Sequence, residues 1–86
     1  MKKLITCDRL RQTKEGEDFW QVMMKNKIKI SENLFLKNVN IKDVLDEGET
    51  WQDYKDNARK QGDPINFYKS NGTYFFQTAG FEFIWL

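Results

Sequence analysis

The sequence predicts a small α+β domain built on a mostly antiparallel sheet, and three observations carry that expectation. Apolar residues recur at every second position, the period of a strand, toward both ends of the chain. Between these regions Trp51, Tyr54 and Ala58 are spaced by three and four, the stripe of one helix face. The stretch FYKSNGTYFFQTAGFEFIWL, residues 67–86, places eight aromatic residues around an Asn71-Gly72 pair, the strongest short hairpin signal. A chain of 86 residues has room for one core, so 1–86 reads as a single domain.

Taken in order, Leu4 to Thr13 alternates imperfectly and predicts a first strand. Lys14-Glu15-Gly16-Glu17-Asp18 reads as a polar loop. Phe19 to Met24 is aromatic and β-branched enough for a second strand, and Lys25-Asn26-Lys27 suits a tight turn. Ile28 and Ile30 then share one face of a third strand, with Lys27 and Lys29 on the other. Leu34 to Leu36 either extends that strand or crosses irregularly. Asn40 can cap a short helix that ends at Gly48. Thr50 and Asp53 have the spacing of a capping box for the main helix, at about 51–61. Asp56 and Lys60 are spaced to pair along it, Gly62 suits a left-handed cap, and Pro64 prevents continuation. So short a helix is unstable alone, and its stripe must pack on the sheet.

Asn71-Gly72 sets a register that pairs Ser70 with Thr73, Lys69 with Tyr74, Tyr68 with Phe75 and Phe67 with Phe76. Thr78-Ala79-Gly80 breaks or bulges the following strand. Phe81, Phe83 and Trp85 then alternate with Glu82, Ile84 and Leu86 to give a paired last strand. Phe67/Phe76 and Tyr68/Phe75 fall on opposite faces, so both faces carry rings. One face packs under the helix against Trp51 and Tyr54. The other must be covered by the N-terminal strands, as in a partly open barrel, or by a partner, since a half-buried sheet shows a polar outer face. The expected order is βββ-α-ββ. That order resembles the OB-fold, a five-stranded Greek-key barrel with a helix between its third and fourth strands. The resemblance spans nearly the whole chain and rests on element order alone. An open curled sheet fits the same order.

Several chemistries are excluded. The chain has no histidine and one cysteine, Cys7, which removes a Cys–His nucleophile pair and a structural zinc site. The glycines stand singly at 16, 48, 62, 72 and 80, so no loop cradles a phosphate. Carboxylates are the remaining acid/base candidates. Asp43, Asp46, Glu47, Glu49, Asp53 and Asp56 form the densest group, and most of them lie near helix starts, where they favour caps and the dipole. The expectation is therefore not an enzyme, with no cofactor and no metal. Cys7 reads as a small buried residue, and a lone thiol suits a reducing cytoplasm. The apolar run after Met1 is interrupted at Asp8 and Arg9, too early for a secretory signal, and no stretch reaches the roughly 20 apolar residues of a membrane helix.

Charge is segregated along the chain. Residues 1–42 carry ten Lys/Arg and five Asp/Glu, for +5, whereas residues 43–86 carry four and eight, for −4. Two functions follow as expectations. The first is a protein–protein interaction module whose acidic surface is Asp46, Glu47, Glu49, Asp53 and Asp56. In size, composition and lack of motifs the chain resembles the small accessory proteins of phages and other mobile elements. That resemblance implies a host nuclease, polymerase or defence complex as the inhibited partner, with the acidic segment imitating nucleic-acid phosphates. The second is an OB-like single-stranded DNA or RNA binder that uses Arg9, Arg11, Trp20, Lys25, Lys27 and Lys29 for charge neutralisation and stacking. The net charge of +1 weighs against it. An edge strand also offers a route to a homodimer.

Overall fold

The computed structural model describes residues 3–86. Ten elements follow in chain order: β1 (Leu4–Thr6), α1 (Cys7–Leu10), α2 (Lys14–Asn26), β2 (Ile28–Ile30), α3 (Glu32–Asn38), a 3₁₀ turn (Ile41–Val44), α4 (Trp51–Lys60), β3 (Ile65–Ser70), β4 (Thr73–Thr78) and β5 (Phe81–Trp85). The class is the α+β expected, with a sheet that is antiparallel throughout. Its strands stand in the order β1-β5-β4-β3-β2, which leaves β1 and β2 at the two edges. The sheet is open, so the chain does not take the closed OB-type barrel.

The C-terminal half forms as the sequence dictates. Asn71 and Gly72 adopt φ of 49° and 84°, the left-handed geometry that matches strand twist in a two-residue hairpin. The β3–β4 register follows, from Ser70 opposite Thr73 to Phe67 opposite Phe76. The expected break at Thr78-Ala79-Gly80 is instead a second such turn, with Ala79 and Gly80 at φ of 53° and 73°, and β5 runs back beside β4 from Phe81 opposite Thr78. The last strand is therefore paired on both sides, by β4 and by β1.

The N-terminal half departs from expectation. Of the strand read over Leu4–Thr13, only Leu4–Thr6 is extended. The Thr6 hydroxyl accepts from the Arg9 amide at 3.3 Å and starts α1, which buries Cys7 and Leu10. The polar stretch read as a loop is the first turn of α2. The Thr13 hydroxyl caps it by accepting from the Gly16 amide at 3.0 Å, and Glu15 and Glu17 sit where the helix dipole favours acids. Phe19–Met24, read as a strand, is the middle of this helix, with Met23 buried and Trp20 and Met24 packed inward. Leu34–Leu36 belongs to α3, which Ser31 caps and which buries Phe35. Asp56 accepts from the Gln52 side chain at 2.9 Å rather than pairing with Lys60.

The result is three layers. On one face Cys7, Leu10 and Met23 of α1 and α2 pack against Phe75 and Ile84, with Trp20 and Tyr68 beside them. On the other, Phe35 of α3 and Trp51 and Tyr54 of α4 pack against Phe67, Phe76 and Trp85. Both aromatic faces of the hairpin are thus covered by helices of the same chain, which settles the choice between N-terminal strands and a partner as the cover. Phe83 and Trp85 lie in the second core as expected, whereas Phe81 meets the Phe83 ring at 5.2 Å and also reaches the first core. Glu82, expected on a polar outer face, is buried under α2 and accepts from Trp20 Nε1 at 2.9 Å.

Gly16 fixes how α1 and α2 meet. A Cβ at this position would stand 1.8 Å from the carbonyl oxygen of Leu10, which is backbone and cannot step aside. A glycine inside a helix costs about 0.5–1 kcal/mol relative to alanine, and here the close approach outweighs that cost. Gly16→Ala is therefore expected to destabilise the domain by about 1–3 kcal/mol or more, the range of overpacked interiors, despite the better helix propensity of alanine. Urea denaturation would read this as a lower midpoint; a midpoint equal to or above that of the parent would show that the two helices do not meet at this glycine.

Candidate functional site

The acidic segment is shaped by local bonds. Asn40 caps the 3₁₀ turn by accepting from the Lys42 amide at 3.2 Å. The chain then turns through Asp46-Glu47-Gly48-Glu49, where Gly48 takes φ of 80°. The Glu49 amide donates to the Asp46 carbonyl at 3.0 Å, and the Glu49 carboxylate accepts from the Asp46 amide at 3.1 Å. The capping box read from the sequence is present: the Thr50 hydroxyl accepts from the Asp53 amide and the Asp53 carboxylate from the Thr50 amide, both at 3.1 Å. Trp51 follows at the first position of α4. Its ring stacks on Tyr54 at 5.4 Å, and its Nε1 donates to Glu32 of α3 at 3.0 Å. Lys55 Nζ meets the same Glu32 oxygen at 2.9 Å.

These constraints open a cleft of about 540 Å³ between the 3₁₀ turn, the loop and the start of α4. Its floor is apolar, formed by Ile41, Leu45 and Trp51, and its rim carries Asp46, Glu47 and Glu49 with Lys42 as the one cation. The five acids read from the sequence therefore divide by role. Glu49 and Asp53 hold backbone amides, and Asp56 holds Gln52. The carboxylates of Asp46 and Glu47 make no hydrogen bond or ion pair to the described residues and are exposed. The sequence held the acids but not the cleft, because Ile41, Leu45 and Trp51 become neighbours only through the turn geometry. Across segment 43–56 six acids face a single base, Lys55, and that base is occupied by Glu32.

The six residues read as a nucleic-acid strip are not brought onto one platform. Arg11 donates two bonds to Glu17, at 2.8 and 3.1 Å, and lies 4.0 Å above the Trp20 ring. With its Nε1 on Glu82 and its outer face under a guanidinium, Trp20 is a core residue capped by an ion pair rather than an open stacking surface. Arg9 is exposed on α1. Lys25, Lys27 and Lys29 lie instead along the end of α2 and the edge strand β2. Lys27 Nζ lies 4.7 Å over the Tyr68 ring and 3.5 Å from Gln77 Oε1. Among the exposed large apolar side chains, Phe19 and Val22 of α2 were obscured by the strand reading, at 42% and 52% of full exposure; Ile28 of β2, Leu34 and Leu86 are exposed as well. The signal was the spacing of three between Phe19 and Val22, with Trp20 and Met23 turned inward.

Other chemistry is sparse. A cleft of about 570 Å³ beside the end of α4 is lined by Lys55, Arg59, Glu32 and Asp63 over Pro64, Ile65 and Phe67, with charges of both signs. Cys7 is buried, and burial pushes its thiol above the ordinary range; its sulfur accepts from the Glu82 amide at 3.4 Å. Among the described residues no three His, Cys, Asp or Glu side chains are grouped to hold a metal ion, and no helix is long and apolar enough to cross a membrane. No family model, curated protein or solved structure matches the chain.

The Glu32 contacts that fix Trp51 generate a pH prediction. Burial opposes ionisation of Glu32, but the hydrogen bonds from Lys55 and Trp51 and the Lys55 charge prevail and hold the carboxyl below its usual range. A depressed folded value stabilises the fold above the unfolded value, near pH 4.3, and that stabilisation is lost as pH falls through the folded value. The parent should therefore exceed Glu32→Gln in urea midpoint at neutral pH and converge on it in acid. A gap that stays constant from neutral to acid pH would show that the ionised form of Glu32 contributes nothing.

Proposed function

We propose that this protein is a non-enzymatic interaction module that docks a basic protein partner through the acid-rimmed cleft. The observation that carries the reading is the combination at one site: an apolar floor of Ile41, Leu45 and Trp51 under two unpaired carboxylates, Asp46 and Glu47. Apolar anchors in a desolvated pocket supply most affinity at interfaces, and complementary charge on the rim supplies steering and specificity. The fitting partner presents an apolar or aromatic side chain flanked by Lys or Arg. Surfaces of that chemistry line the nucleic-acid grooves of nucleases and polymerases. The reading extends to a phage or mobile-element accessory protein acting in the reducing cytoplasm of a host, whose carboxylates replace phosphates in such a groove and so inhibit the enzyme or defence complex. The support for that extension is size, charge separation and the lone thiol.

The single-strand-binding alternative has less behind it, since Arg11 covers the Trp20 ring and the lysines stand apart from it. It would require oligonucleotide affinity that falls steeply with salt.

Affinity purification from a nuclease-treated bacterial lysate tests the reading, with the parent beside a variant carrying Asp46→Asn, Glu47→Gln and Glu49→Gln. The expected result is a protein retained by the parent after nuclease treatment, weakened by salt, and bound about tenfold or more weakly by the variant, as loss of complementary rim charge implies. Equal retention by both forms would refute a role for the acids. Retention that vanishes with nuclease would favour nucleic acid instead.

A further inference from the structure

The inner strand β3 outruns its neighbour β2, and it does so beside a cleft. In a two-residue hairpin the residues flanking the turn exchange both backbone bonds, and the side of bonding alternates along each strand. Ser70 and Thr73 flank the Asn71-Gly72 turn, so Ser70, Tyr68 and Asn66 bond toward β4, whereas Lys69, Phe67 and Ile65 bond toward β2. The same alternation from the Ala79-Gly80 turn sends Leu86 outward from β5, where it exchanges two bonds with Lys3, at 3.3 and 2.8 Å. β2 ends at Ile30, opposite Phe67, and the chain leaves the sheet at Ser31 to start α3. The N–H and C=O of Ile65 therefore point past the end of β2. The comparable amide beyond the end of β1, that of Glu82, is taken by the Cys7 sulfur, but no described residue outside the ladder bonds to Ile65. Ile65 lines the cleft of about 570 Å³ at the end of α4, a volume within the roughly 300–1,000 Å³ of small-molecule sites.

We infer that this cleft binds a short peptide, of about two or three residues, with free termini and an apolar side chain. One N–H and one C=O on Ile65 are the complement of one extended residue, which accepts from the first and donates to the second. A residue paired there shares the face of Ile65, so its side chain lies on the apolar floor of Pro64, Ile65 and Phe67. The rim supplies both terminal charges. Arg59 and Asp63 carry opposite signs, line the same cleft, and make no ion pair with each other or with any described residue. Arg59 suits the carboxylate of the peptide and Asp63 its ammonium. Lys55 and Glu32, the other charges of the lining, hold each other. A lone anion would meet one free cation with an unpaired carboxylate on the same rim, whereas a dipolar ligand satisfies both. The length is short because Ser31 and α3 stand in the line of β2, and Pro64 offers no N–H at the other end. This cleft shares no lining residue with the one over Ile41, Leu45 and Trp51, so the inference stands apart from the docking role of that site.

Amide NMR of the isotope-labelled full chain, titrated with the tripeptide Ala-Leu-Ala, tests the site. The Ile65 amide should shift and saturate at millimolar peptide or below, the affinity expected of so small a ligand. Acetylating the peptide's amine should weaken binding about tenfold or more, as should amidating its carboxylate, since each removes a charge-assisted bond. Gly-Gly-Gly, which lacks the apolar side chain, should bind about tenfold or more weakly as well. Arg59→Gln should weaken the free peptide by the factor that amidation does and leave the amidated peptide unchanged. Asp63→Asn should do the same for the free and acetylated peptides. Both variants should keep the parent's urea midpoint, which separates a lost contact from a lost fold. An Ile65 amide that does not move, binding indifferent to both blocked ends, or variants that weaken free and blocked peptides alike would overturn the inference. So would tighter binding of a long peptide blocked at both ends, or an Ile65 shift that follows protein concentration without peptide, which would put a through-running strand or a second copy in the cleft instead.

Discussion

Phe75 and Phe76 are consecutive residues of the central strand, and neither has any exposed surface. Successive strand residues point to opposite faces of a sheet. A chain that hides both must cover both faces, and the rest of the architecture meets that demand. The hairpins place β3 and β5 on either side of β4, so Phe67, Tyr68, Phe83 and Ile84 widen the two apolar faces. Helices α1 and α2 close over one and α3 and α4 over the other. Truncating a buried phenylalanine costs about 3–5 kcal/mol, against about 5–15 kcal/mol for the stability of a whole domain. In a chain this small neither face can be left open, and the helices have no freedom to be elsewhere.

The sequence revealed the half of this arrangement that is local. Asn71-Gly72 fixes its own register, and Thr50 with Asp53 fixes its own helix start, because the partners in each lie within a few residues. The N-terminal half was illegible for a definite reason. The inward residues of α2, Trp20, Met23 and Met24, have helical spacing, but Phe19 and Val22 fill the intervening positions with apolar side chains that the core does not use. A six-residue run so crowded loses its period and resembles a buried strand. Gly16 misled in the same direction. The sequence reads it as a loop residue, whereas the close approach of the Leu10 carbonyl, from the preceding helix, demands a glycine at this position inside α2.

Phe19 and Val22, which blur the helical period of α2, are thus residues that the fold leaves on the surface. Locally inconsistent positions tend to mark places where a sequence serves something other than its own core. The acids of segment 43–56 divide along the same line. Asp53 and Glu49 are explained by the amides they hold, and Asp43 by the Trp85 Nε1 at 3.3 Å. Asp46 and Glu47 have no such explanation within the described residues.

In the proposed docking role, those two carboxylates would draw on the local bonds that hold their support. Ordering a loop on binding subtracts from affinity, and a preformed site avoids that cost. Here the loop is closed by the Asp46–Glu49 backbone bond and turned by Gly48, while the floor is held by Trp51, which Glu32 and Tyr54 fix from two sides. Each tie reaches back to the sheet: Trp51 and Tyr54 both rest on Phe76, with ring centroids 5.9 and 6.0 Å away. The burial of Phe76 therefore does more than stabilise the second face. It sets the position of the first turn of α4, and with it the floor and one wall of the cleft, so the same aromatic contact that the fold depends on also shapes the surface available to a partner.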